Sequence, residues 1–287
     1  VSDHVRPEHR GKAMAVVGSC IGGSFGLALV AGPWIHASLG LSGVFSVTAC
    51  LAVFGIAMVV FLLPPDVSPQ VKLEQRAWKT VIAQTDLQRT TLSSFFLHFH
   101  LMSGFLVFPT MMVKQLRIDV DAYPLTLLLI LGGAFIAALP LMIATDRWPG
   151  QRKNLLVFMI GVMGLSLAGM SVAWSSWWLL LMLGCFFMAF NLLEMMLPNL
   201  VAHFSPDSVR GTAMGLHTST QFFGAFAGGA VGGWLIAFSG DTVLLWANAG
   251  IALGWLVIVL WMTPPVYMSS KRQSLDSLGT RHSSETV

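Results

Sequence analysis

Residues 10–19 read RGKAMAVVGS, and residues 210–219 read RGTAMGLHTS. Arg10, Gly11, Ala13 and Met14 match Arg210, Gly211, Ala213 and Met214, and the same register continues without a gap. Further on, Gly32 and Trp34 match Gly232 and Trp234, Gly40 matches Gly240, and Pro64-Pro65 matches Pro264-Pro265. An apolar background gives chance identities of Leu, Val and Ala. It does not give Arg-Gly, Gly-x-Trp and Pro-Pro in one register. The chain therefore carries a doubled hydrophobic segment.

The solvent for that segment follows from composition. Of 287 residues, 55% are hydrophobic and 10% charged, and the mean hydropathy is +0.74. A soluble domain carries about 25% charged residues, so lipid is the natural surroundings of this chain. A spanning helix needs roughly 20 mostly apolar residues. Eight such runs are present, at 13–39, 44–63, 92–113, 123–145, 154–174, 177–203, 212–238 and 243–262. They are too long for strands and show no period-2 alternation. The reading is an all-α polytopic membrane protein whose partner is the lipid bilayer. The net charge of +3 is no nucleic-acid footprint. Cys20, Cys50 and Cys185 sit in apolar runs without metal-ligand spacing, so no metal and no cofactor is expected.

Short connections at 40–43, 175–176 and 239–242 set sequential helices side by side and antiparallel. If the eight spans alternate, 14 of the 16 basic residues fall on one side and only Lys114 and Arg117 on the other. The positive-inside rule makes the first side cytoplasmic. Residues 1–63 then form two helices of a first half and 64–91 a central cytoplasmic loop with an amphipathic helix over 71–87. Residues 92–266 form a six-helix second half, and 267–287 a polar, disordered tail. The second copy of the repeat follows four spans, so symmetry expects four more before the first copy. The chain opens at Val1 on a polar stretch without a signal-peptide pattern. It is expected to be the last eight spans of twelve; the other reading is an eight-span protein with one duplicated hairpin. Repeats related by an axis along the membrane normal are a mark of secondary transporters.

Glu194 is the one Asp, Glu, Lys or Arg in the interior of any run. A carboxylate at mid-membrane costs about 2.5–3.5 kcal/mol on the insertion scale, so it should face a cavity or a partner and act as a protonatable switch. Asn191 lies three residues before it and Pro198 four after, on the same face. His98 and His100 point about 200° apart and cannot share one cavity; His98 is the candidate proton partner. His217, Thr220 and Gln221 share a helical face and either line the path or bond across helices. Met102 and Phe105 are expected to line the substrate cavity. No HExxH, P-loop or GxSxG pattern points to an enzyme.

Two halves, a long central loop and cytoplasmic ends resemble the major facilitator superfamily. The loop Asp146-Arg147-Trp148-Pro149-Gly150-Gln151-Arg152-Lys153 is similar to that family's D-R-x-G-R-[RK] gating loop, with extra residues around Gly150. The resemblance implies a gating role for Asp146, Arg147, Gly150 and Arg152. Gly18, Gly22, Gly26, Gly32 and Pro33 resemble the glycine motif of antiporter members, with Gly32-Pro33 as a break in the helix. The blocks RGKAMAVVGSCIGGSFGLALVAGP, FMAFNLLEMMLPNL and GTAMGLHTSTQFFG resemble the YajR-type inner-membrane proton-driven efflux transporters. What the resemblance implies is a monomeric, multi-pass protein of the bacterial inner membrane. It would export a small amphipathic compound against protons by alternating access. The rival expectations are a metabolite importer or facilitator on the same fold, and a fragment that transports nothing.

Overall fold

The computed structural model describes residues 10–62, 77–119, 122–172 and 175–263. The paired prolines at 64–65 and 264–265, most of the central loop and the tail lie outside the described residues. The α-helices are α1 (Arg10–Leu62), α2 (Ala77–Ala83), α3 (Thr85–Phe105), α4 (Phe108–Leu116), α5 (Tyr123–Arg147), α6 (Arg152–Ser171), α7 (Ser176–Phe204) and α8 (Arg210–Leu260). No strand occurs among the described residues. Long apolar helices are what a chain forms in lipid, where each backbone N–H and C=O must find its partner within the segment.

α1 has 53 residues and α8 has 51. At about 1.5 Å per residue each is more than twice the ~30 Å hydrocarbon thickness. Each is broken by one non-helical residue, Gly40 (φ 66°, ψ −173°) and Gly240 (φ 81°, ψ 175°). The contacts of α8 show what the break does. Gly224 lies against Phe95, Gly228 against Phe99, and Gly232 against Ser103 and Leu106, so residues 210–239 run parallel to α3. Beyond Gly240, Asn248 bonds Ser103, Trp255 bonds Ser93 and the Trp261 carbonyl meets Arg89, so the chain now runs antiparallel to α3. Gly240 is a hairpin turn between two membrane crossings. Counting α1 and α8 as two crossings each, and α3 with α4 as one bent crossing, gives the eight expected spans.

Three expectations are corrected. The break in α1 falls at Gly40, while the helix continues through Gly32-Pro33; a proline removes one helical donor but leaves φ helical, whereas φ near +66° is glycine territory. The run 92–113 is not one straight helix. α3 and α4 meet at a 43° bend, because Pro109 starts α4 and the Phe108 ring lies over Gly104. The amphipathic helix expected over 71–87 is, in its described part, the short α2; Gln84 leaves helical geometry, and α3 begins at Thr85.

The core of the second half is aromatic and sulfur-rich. Phe108, Phe186 and Phe187 pack edge to face, among Met112, Met159, Met163 and Leu183, all fully buried. Where lipid removes the hydrophobic drive, close backbone approach holds helices together. Gly164 meets Ala252 and Gly169 meets Met182, seating α6 against α8 and α7. Among the described residues α1 meets the rest along α5, where a Cβ on Gly26 would lie 3.1 Å from Leu128, and Leu29 packs against the core. Phe54 and Phe61 of α1 are 62% and 81% exposed, a lipid- or partner-facing surface.

The two ends of the bundle differ. At one end, Arg89 bonds Asp86 and the Trp261 carbonyl, Asp86 accepts from the Thr263 N–H, and Lys153 bonds the Leu260 carbonyl. Cations on the last carbonyls of α8 satisfy its open C-terminus and its dipole. At the other end lies a pocket of about 140 Å³ bordered by Lys114, Gln115, Ser171 and Asp241. Lys79, Arg89, Arg152, Lys153 and Arg210 crowd at the first end, the pattern that the positive-inside rule associates with a cytoplasmic face.

Candidate functional site

Three helices bring their polar residues to one place at mid-bundle. α3 contributes Ser94 and His98, spaced i, i+4; α8 contributes His217 and Gln221, again i, i+4; α7 contributes Glu194. Spacing of four puts each pair one turn apart on a single face. The glycines of α8 at 224 and 228 let its backbone rest on that of α3, which sets the two pairs opposite each other.

His98 Nδ1 lies 3.1 Å from the Ser94 carbonyl oxygen. His98 Nε2 lies 2.8 Å from Gln221 Nε2 and 3.6 Å from Glu194 Oε2. Gln221 Nε2 also donates to Glu194 Oε1 at 3.3 Å. Ser94 Oγ lies 2.9 Å from His217 Nδ1. The ring of Phe190 stands edge-on to His98 at 5.8 Å. The Glu194 side chain is 36% exposed and that of His98 10%. Glu194 is therefore the open member of the pair and His98 the enclosed one.

α7 is unusual at this point. Its helix runs through Pro198, which has no N–H to give the carbonyl four residues earlier. That carbonyl belongs to Glu194. Asn191, one turn before, holds a buried amide nitrogen with no hydrogen-bond partner among the described residues. A buried unsatisfied donor costs about 1–3 kcal/mol, and this one lies on α7 three residues before the open carboxyl group.

The other expected residues are dispersed. Met102, one turn beyond His98, is 39% exposed. Phe105 packs against Phe108 and Phe187 and belongs to the core margin. Asp146 and Arg147 end α5, with their side chains outside the described residues; Gly150 sits in a 3-10 turn with open space around it, and Arg152 starts α6. Gly18 and Gly22 lie in α1, a Cβ on Gly32 would meet nothing within 4 Å, and Pro33 is exposed.

A second polar network lies on another side of α3. His100 faces away from His98, with Nδ1 on the Phe96 carbonyl and Nε2 3.0 Å from the Asn248 carbonyl. Asn248 bonds Ser103 at 2.7 Å, and the Trp255 indole N–H bonds Ser93 at 2.9 Å. The signal was Ser93, His100 and Ser103 on one side of α3, at spacings of seven and three. It pins the second crossing of α8 to α3.

A bundle of long apolar helices with an internal hairpin repeat has the architecture of polytopic membrane proteins. Comparison with protein families matches the Major Facilitator Superfamily over residues 1–135 and 90–283. The chain is 34% identical over 281 residues to the inner membrane transport protein YajR of Escherichia coli (strain K12), covering 95% of this chain and 61% of that protein. It is 25% identical over 264 residues to an uncharacterized transporter of Buchnera aphidicola subsp. Baizongia pistaciae, covering 90% and 67%. A transporter of Buchnera aphidicola subsp. Acyrthosiphon pisum is 27% identical over 235 residues, covering 79% and 60%. The chain thus belongs to the major facilitator superfamily, as a multi-pass membrane protein. It spans between 60% and 67% of the length of these three relatives.

Proposed function

We propose that this chain is the C-terminal part of a proton-coupled efflux transporter that exports a small amphipathic compound by alternating access. The observation that carries the reading is the meeting of Glu194 with His98 and Gln221. A carboxyl group in an apolar helix is expensive unless it serves a cavity or a partner, and this one has a partner on one side and exposure on the other. Such a group takes a proton from one compartment and releases it to the other as the cavity changes sides. In this proposal the upstream four spans complete the cavity wall, and the two halves rock about the mid-membrane site. Exposed Met102, the edge of Phe190 and the part-exposed carboxyl group of Glu194 are the surfaces offered to a substrate with an apolar body and one hydrogen-bonding group.

The test uses the protein from its complete reading frame in cells loaded with ethidium as an amphipathic probe. Efflux driven by a proton gradient is expected in the wild type and lost in Glu194→Gln, while downhill exchange of the probe survives. Gradient-driven efflux that is undiminished in Glu194→Gln removes Glu194 as the coupling group. Gradient-driven uptake of a metabolite, with no efflux, replaces export by import on the same fold.

A further inference from the structure

The hydrogen bonds around His98 fix more than its position. The Ser94 carbonyl oxygen can only accept, so Nδ1 of His98 must carry its hydrogen. In the neutral ring Nε2 is then a bare lone pair. That lone pair faces Gln221 Nε2 at 2.8 Å and Glu194 Oε2 at 3.6 Å. The same Gln221 nitrogen reaches Glu194 Oε1 at 3.3 Å, so its two hydrogens serve one atom on α3 and one on α7. Donor and acceptor are matched between Gln221 and His98 and between Gln221 and Glu194 Oε1 in the neutral arrangement.

We propose that Gln221 is a positioning residue for the proton: it holds Nε2 of His98 as the vacant acceptor beside Glu194 and must turn its amide away when the proton arrives. This rests on the proton-coupling reading above and names how that site is controlled. The step balances simply. The Glu194 Oε2–H bond breaks, an Nε2–H bond forms on His98, and a carboxylate and an imidazolium result. An N–H on Nε2 cannot face the NH₂ of Gln221, since both are donors. The amide then presents its oxygen to His98 and withdraws its hydrogens from Glu194. One proton transfer between α3 and α7 thereby becomes a change of bonding on α8. His98, Glu194 and His217 are the titratable groups that the three helices turn toward this point. His217 is engaged by Ser94 Oγ; α5 brings no charged residue within its apolar span.

The test is ¹⁵N NMR of the complete protein labelled at histidine, with His98 assigned by its loss in His98→Asn. Under conditions where the ring is neutral, His98 is expected as the Nδ1-protonated tautomer, the minor form of free histidine, with Nε2 shifted by an accepted hydrogen bond. In Gln221→Met, which keeps shape without donors, the Nε2 resonance should move to that of an unbonded lone pair while Nδ1 stays. An Nε2-protonated tautomer in the wild type overturns the proposal, and so does an Nε2 resonance indifferent to Gln221→Met. Neither readout depends on transport. If Glu194→Gln keeps gradient-driven efflux, the coupling reading fails on its own evidence, and the tautomer result stands apart from it.

Discussion

Gly40 and Gly240 hold the same backbone conformation, with φ of 66° and 81° and ψ close to 180° in both. They occupy equivalent places in the repeat. A residue with a Cβ reaches that region only under strain, of order 1–3 kcal/mol. Gly40→Ala and Gly240→Ala should each lower the thermal midpoint of the detergent-solubilised protein, by an amount equivalent to about 1–3 kcal/mol. The surroundings offer no steric reason for the loss, since nothing lies within 4 Å of either Cβ position. An unchanged midpoint in both variants removes backbone conformation as the reason these glycines recur.

Packing glycines should behave differently. A Cβ on Gly224 would fall 2.2 Å from the Phe95 carbonyl oxygen, and one on Gly228 at 2.2 Å from that of Phe99. Backbone cannot move aside as a flexible side chain does. Gly228→Ala is expected to cost about 1–3 kcal/mol by overpacking, whereas Gly229→Ala, with open space around it, should be close to neutral. Thermal unfolding of the pair side by side is the measurement.

The Ser94–His217 bond joins α3 to α8 at 2.9 Å. Bonds of this kind between membrane helices average about 0.6 kcal/mol in double-mutant cycles. A cycle of Ser94→Ala and His217→Phe should return a coupling of roughly that size. A coupling of zero would show that the two side chains do not bond in the folded protein.

The C-terminal end of α8 is held by Arg89 and Lys153 on its last carbonyls and by Asp86 on the Thr263 N–H. In Arg89→Leu and in Asp86→Asn, amides at 259–263 should exchange with deuterium faster than in the wild type. Amides near Trp255, anchored on Ser93, should keep their protection. Uniform loss of protection along α8 contradicts a local anchor.

Most of the fold was legible in the sequence because lipid imposes a crude rule: a long apolar run is a helix. The repeat register also marked Gly40 and Gly240 as equivalent, and their shared torsion explains why that pair recurs. The 43° bend between α3 and α4 was hidden, since it depends on where the Phe108 ring settles against Gly104, a tertiary fact. In the site, Glu194 was conspicuous as a charge among apolar neighbours. The pairing of Gln221 with both His98 and Glu194 was not, because spacing within one helix cannot state which neighbouring helix it will meet. Phe105 and Met102 looked alike as apolar residues, yet one leans into the core and the other opens outward.

The backbone contact of Gly224 and Gly228 with Phe95 and Phe99 joins α3 and the first crossing of α8 into a single stiff blade. Ser94, His98, His217 and Gln221 all ride on that blade, so their mutual spacing is fixed whatever the rest of the molecule does. Glu194 alone arrives on another strut, next to the residue where Pro198 leaves the helical ladder one rung short. Any lengthening of the gap between carboxyl group and imidazole has to come from a turn of the Glu194 side chain or a movement of that strut.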